Sequence, residues 1–184
     1  ATAALGFGGT PSPVGNQAES WNGTNWTEVN DLNTGRRNLA GAGTSTSALG
    51  FGGYVSPPPI SANTELWNGT NWTEVNDMNA GRKSFGGDDP SASTPPPVQV
   101  SGATETWNGT NWTEVNDMNT ARYYIAGAGA PDNAIVAGGY SATSEYVALT
   151  EIWNGTNWTE QGDLATARRD FSGRPEQRMK DVKR

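Results

Sequence analysis

Apolar and polar positions in this chain change over every few residues. The stretch "SALGFGGY" at 47–54 is a short apolar run closed by Gly52-Gly53, the pattern of a strand that ends in a tight bend. A Pro- and Ser-rich segment, "VSPPPISAN" at 55–63, follows as a loop. "TELWNGTNWTEV" at 64–75 then alternates on either side of an Asn-Gly pair. That pair is a hairpin signal, because both turn residues must tolerate positive φ. "NDMNAGR" at 76–82 is a second turn, and the strand that begins after such an Arg is clearest in "RRNLAGAGTSTS" at 36–47. One unit therefore predicts four short antiparallel strands, a to d in chain order.

The unit recurs. "WNGTNWTEVND" occupies 21–31, 67–77 and 107–117, and a looser copy, "WNGTNWTEQGD", occupies 153–163. The first Trp falls at 21, 67, 107 and 153, with spacings of 46, 40 and 46, and four units of 46 residues account for the 184 residues. A period of this length points to an array, solenoid or propeller, and a four-stranded antiparallel unit is one propeller blade. The third unit departs from the pattern. "RKSFGGDDPSASTPPPVQVSG" at 82–102 is six residues short, with Gly-Gly close behind the Arg and a triple Pro, so strands a and b should be compressed there.

Gly52-Gly53, then Glu65, then Trp67-Asn68, then Trp72 and a turn ending in Arg82 resemble the kelch repeat, with Trp-Asn where that family usually has Tyr-Asp. The repeat is also similar to low-complexity kelch-like repeats in predicted proteins of aquatic phages and environmental microbes. The resemblance covers nearly the whole chain. It implies an all-β fold, a β-propeller of four kelch-like blades with four antiparallel strands each. The propeller would span 1–173, in units of about 1–35, 36–81, 82–121 and 122–167. The chain begins at a strand b ("AALGFGG", 3–9), and "RDFSG" (169–173) falls where a strand a belongs. A closing strand at 168–173 would then complete the first blade and lock the ring. Small residues in "LAGAG" (39–43) and "IAGAG" (125–129) suit the crowded centre of a four-bladed ring. Residues 174–184 form a basic tail without repeat character, in which Pro175 stands where a short helix would begin.

Composition narrows the chemistry. With 24 Gly, 11 Pro and 8 Trp the chain favours strands and turns, and it contains neither Cys nor His. Disulfides, a zinc site, a thiol nucleophile and an imidazole base are excluded, and no cofactor is expected. The galactose-oxidase branch of kelch-like propellers holds copper with His, Tyr and Cys, so that chemistry does not carry over. No apolar run is long enough to cross a bilayer. The net charge of −7 is uneven: from Arg168 onward seven basic residues face three acidic ones, a net +4, which leaves the body at −11. Such a body repels nucleic acid and anionic membranes, so neither is expected as a partner. The basic tail suits an acidic surface, such as that of a neighbouring copy.

The candidate residues follow from the repeat. Asn-Gly-Thr and Asn-Trp-Thr both fit the glycan-acceptor pattern, which makes Asn22, Asn25, Asn68, Asn71, Asn108, Asn111, Asn154 and Asn157 candidate acceptors. The structural reading of the same stretch is the turn between strands c and d. A sialidase-type Asp turn does not fit, since Asn replaces Asp and the spacing is off by one. Trp26, Trp72, Trp112 and Trp158 recur on strand d, where large rings would pack between blades, and the set that begins with Trp21 belongs to core or edge. Arg36, Arg82, Arg122 and Arg168 recur with Glu19, Glu65, Glu105 and Glu151, which reads as a structural pair linking strands or blades. Asp88-Asp89 and Asp132 lie in turn-like loops, where solvated charge is a simpler reading than a calcium site. The b–c loops vary most between units, and a propeller gathers them on one face. A ligand or partner face would therefore carry Tyr54, Pro58, Pro96, Tyr140 and Tyr146.

No reactive constellation occurs once only, so no catalytic or metal residue is assigned. The chain reads as a non-enzymatic structural or interaction propeller, a surface, fibre or virion component located outside the cell, on its surface or in a virion. Its partners would be other copies of itself or another surface or virion protein, with glycans as a further ligand class. The alternatives are a carbohydrate-binding or carbohydrate-cleaving propeller, and a fragment of a longer kelch array.

Overall fold

The computed structural model describes residues 3–10, 15–56, 60–83, 102–141, 143 and 145–169. Among them the regular structure is β throughout, in antiparallel sheets of two to four strands, with no helix. The first sheet holds β1 (Ala4–Phe7), β2 (Ala18–Trp21) and β3 (Trp26–Val29) in that order. The second holds β4 (Ala40–Thr44), β5 (Ser47–Phe51), β6 (Thr64–Trp67) and β7 (Trp72–Val75), which are strands a to d of one unit. The third is the pair β8 (Thr104–Trp107) and β9 (Trp112–Val115). The short β10 (Arg122–Tyr123) precedes the fourth sheet, made of β11 (Ala126–Ala130), β12 (Asn133–Ala137), β14 (Thr150–Trp153) and β15 (Trp158–Gln161). Between β12 and β14, β13 (Tyr140–Ser141) pairs back onto β10.

The second and fourth sheets thus run a-b-c-d, and the first runs b-c-d. Strands a and b expected in the third unit fall within residues 84–101, outside the described residues, as do 170–173 of the expected closing strand and the tail. No closed ring is formed among the described residues.

The Trp-rich hairpin is the same in every unit. Trp21, Trp67, Trp107 and Trp153 pair across from Trp26, Trp72, Trp112 and Trp158. The paired Trp residues enclose a loop of four residues, Asn22 to Asn25 in the first copy, rather than the two-residue turn expected from Asn-Gly. Only the glycine takes positive φ, 101° at Gly23, while Asn22 closes the loop with its side chain. Asn22 Oδ1 accepts the backbone N–H of Thr24 at 2.9 Å and of Asn25 at 3.0 Å. The side-chain carbonyl therefore replaces the backbone bond that a tighter turn would have made.

Successive sheets pack face to face. Alternation along a strand gives each sheet a forward face and a back face. Phe7 on the forward face of the first sheet lies against Trp72 on the back of the second, with ring centroids 4.8 Å apart. Phe51 meets Trp112 of the third sheet in the same way at 4.9 Å. The ring of Phe7 fits because Gly41 and Gly50 present no side chain there: a Cβ at Gly41 would stand 2.6 Å from Phe7 Cζ. The core of this packing is Leu32, Ala48, Trp67 and Trp72, with Leu5, Phe7, Val29 and Leu39 against it. Trp67 and Trp153, nearly fully buried, also donate their indole N–H to Ser45 O and Pro131 O at the β4–β5 and β11–β12 turns.

Candidate functional site: the joints between sheets

The recurring charged residues sit where one sheet meets the next. Arg36 is fixed to the first unit through its backbone: Gly9 N–H donates to its carbonyl at 2.8 Å, and its own N–H donates to Gly15 O at 3.0 Å. Its guanidinium crosses into the second unit. There it donates to Gly52 O at 3.1 Å, Asn63 O at 2.6 Å and Glu65 Oε1 at 2.8 Å. Arg36 is completely buried and Glu65 is 1% exposed. Burial pulls the guanidinium below its ordinary pKa, and the charge of Glu65 and its hydrogen bond oppose that shift.

The other oxygen of Glu65 is claimed by Asn33, whose backbone N–H lies at 2.7 Å and whose Nδ2 lies at 2.9 Å. Nearby, Asn30 Nδ2 reaches Thr70 O and Asn71 Oδ1 of the next hairpin, at 2.9 and 2.8 Å. The second joint repeats this with Arg82 on Glu105 and Ala103 O, Asn79 on Glu105, and Asn76 on Thr110 O and Asn111. The third has Arg122 at 2.7 Å from Glu151, with Asn119 on Glu151 and Asn116 on Thr156 O and Asn157. Three of the four sequence-expected Arg and Glu residues thus come together as Arg36–Glu65, Arg82–Glu105 and Arg122–Glu151. Each Arg belongs to the unit before the Glu that it meets.

The paired asparagines were not singled out from the sequence, although the constant spacing in "VNDLNTGR", "VNDMNAGR" and "VNDMNTAR" carried the signal. A further contact uses strand c. Trp112 and Trp158 donate their indole N–H to Thr64 and Thr104 of the preceding sheet, each at 3.0 Å. Ala18 holds the corresponding place in the first sheet, and Trp72 Nε1 is accordingly buried without a partner.

The end members differ. Glu19 is exposed, and Arg168 is exposed with Nε donating to Thr166 O at 3.2 Å. Arg122 begins in the same manner, Nε to Thr120 O at 3.3 Å, before its terminal nitrogens reach the next unit. Trp26, expected to pack between blades, is instead 50% exposed, against 5% for Trp72. Nothing among the described residues covers the back of the first sheet. That face forms an open cleft of about 630 Å³ lined by Gly6, Gln17, Glu19, Trp26 and Glu28. In the last unit Gly162 and Ala165 stand where Asn30 and Asn33 stand in the first.

Of the expected loop face, Tyr140 and Tyr146 come together with ring centroids 5.4 Å apart, and Arg169 lies over both rings. Tyr54 holds the equivalent place on the second unit beneath Arg37, 4.5 Å from its centroid, with Lys83 nearby. Pro58 and Pro96 lie outside the described residues. Among the candidate glycan acceptors, Asn22, Asn68, Asn108 and Asn154 are exposed and use Oδ1 to close their loops. Asn71, Asn111 and Asn157 accept from the preceding unit, whereas Asn25 has no preceding unit to receive. Asp132 lies in the β11–β12 turn, and Asp88-Asp89 fall outside the described residues. Among the described residues no three acidic side chains are grouped as a metal site, and no helix is long and apolar enough to cross a membrane. No family model matches the chain, and no curated protein is significantly similar to it.

Proposed function

We propose that this chain is a non-enzymatic structural or interaction module, a propeller whose four units are kelch-like blades, acting as a surface, fibre or virion component. The observation that carries this reading is the use of the repeated charges. Arg36, Arg82 and Arg122 are each committed, with their Glu partners, to holding one sheet on the next. Charged groups consumed in this way serve rigidity, and the hairpins and loops are left for contact. A panel of glycosides offered to the full chain should show no turnover. Hydrolysis of any of them would overturn the reading.

A second reading, carbohydrate binding, is favoured by one observation: Trp26 is half-exposed beside Gln17, Glu19 and Glu28, an apolar platform edged by hydrogen-bonding groups. Glycan-dependent quenching of Trp26 emission, lost in Trp26→Phe, would select it.

A further inference from the structure

We infer that the back face of the first sheet is a socket for the last sheet of a second copy of this chain, joined through Arg168 and Glu19. The inference rests on the structural reading above. Its chemistry is written three times inside the molecule. At each internal joint the receiving sheet offers a Glu on strand c and a Trp on strand d, and the preceding sheet supplies an Arg. The first sheet offers the same set, Glu19 and Trp26, with Gly6 behind them where Gly50 receives Phe7 in the second sheet. Both side chains stand exposed in the single chain.

The last sheet offers the matching donor. Arg168 is anchored on its own unit as Arg36 is: Gly139 N–H donates to its carbonyl at 2.8 Å, and its N–H donates to Val147 O at 3.3 Å. Thr150 sits on β14 where Thr64 sits on β6 and Thr104 on β8, the place that receives the indole N–H of the following sheet. Arg168 to Glu19 and Trp26 to Thr150 therefore reproduce the internal pairings. Ile135, 38% exposed on the forward face of β12, adds apolar surface in the place of Leu49 on β5.

Three internal contributions are missing, since Ala137 replaces the Phe and Gly162 and Ala165 replace the two Asn residues. A joint with the charge pair but without these contacts forms and breaks more readily than the internal ones, as association between molecules requires. The contact is head-to-tail, so it propagates copy upon copy unless the rotation closes.

The test is the mass of the full chain in solution as concentration rises, for wild type, Glu19→Arg, Arg168→Glu and an equimolar mixture of the two variants. Wild type should climb above 19.4 kDa, each variant alone should remain at 19.4 kDa, and the mixture should climb again. In the mixture every joint pairs an Arg with a Glu. Closure within one chain cannot be rescued by mixing, so a wild type constant at 19.4 kDa, or a mixture that fails where wild type assembles, overturns the joint. Should a variant fold poorly, wild type alone still decides. Acrylamide quenching of Trp26, taken as the difference from Trp26→Phe, should fall several-fold as concentration rises, and no change overturns the joint. A constant mass with glycan-dependent quenching of Trp26 would overturn the structural reading as well. A constant mass without it overturns the joint alone.

Discussion

Single positions in this protein take their importance from place in the stack more than from residue type. Glu65 and Glu19 are the same residue in the same register, opposite Glu74 and Glu28, yet one is buried under Arg36 and the other faces solvent. Glu65→Gln leaves a buried guanidinium without its counter-charge and should cost about 3–5 kcal/mol, read as a lowered midpoint in urea. Glu19→Gln should leave the dilute chain's midpoint unchanged. Trp72 supplies the complementary case, a buried indole N–H with no acceptor because Ala18 replaces the threonine of the later units. Ala18→Thr should stabilise by about 1 kcal/mol, the net worth of one hydrogen bond, and Ala18→Val, which adds the bulk without the oxygen, should not. The recurrence of Arg and Glu made their pairing legible in the sequence. Which Arg meets which Glu was not, because the pairing skips from one unit to the next and depends on sheets that stack.

At the level of strands and turns, the sequence was most informative where apolar alternation and glycine punctuation agreed. Strands a to d appear in the second and fourth units where the pattern places them, because Gly52-Gly53 and Gly138-Gly139 end one strand and the Trp hairpin fixes the register of the next two. The turn type was misread, since Asn-Gly alone does not report that the Asn side chain will cap two backbone N–H groups and lengthen the loop. Exposure of Trp26 was equally hidden: strand d looks alike in every copy, and only the neighbour decides whether its ring is covered. Sheet spacing depends on what strands a and b omit. A Cβ at Gly50 would stand 2.9 Å from Phe7 Cε2, so Gly50→Ala should push the first sheet from the second at a cost of about 1–3 kcal/mol. Combining it with Phe7→Leu should recover part of that loss, and a double-mutant cycle by thermal unfolding would show the coupling.

For the whole molecule, stability is close to a sum over units and the joints between neighbours, as in other repeat proteins. The period and length in the sequence point to four units, but the rotation from one unit to the next is set by contacts such as Phe7 on Gly41 and Asn30 on Asn71, which no period reports. A ring and an open stack can therefore share one repeat pattern. The described sheets behave as a series of neighbours, and the first sheet has a joint on its forward side only. Its opening free energy should be the lowest in a dilute chain, because β2 loses the single charge pair and apolar seam that hold it, while β6 is held from in front and behind. Native-state hydrogen exchange should show faster exchange at Ser20 than at Leu66, which occupies the same register two strands into the next sheet. Glu65→Gln removes the charge pair of that one joint, so protection should collapse across β1 to β3 while β11, β12, β14 and β15 keep theirs. Uniform loss across all sheets would instead mean that the molecule unfolds as one unit, and the nearest-neighbour account would then be wrong.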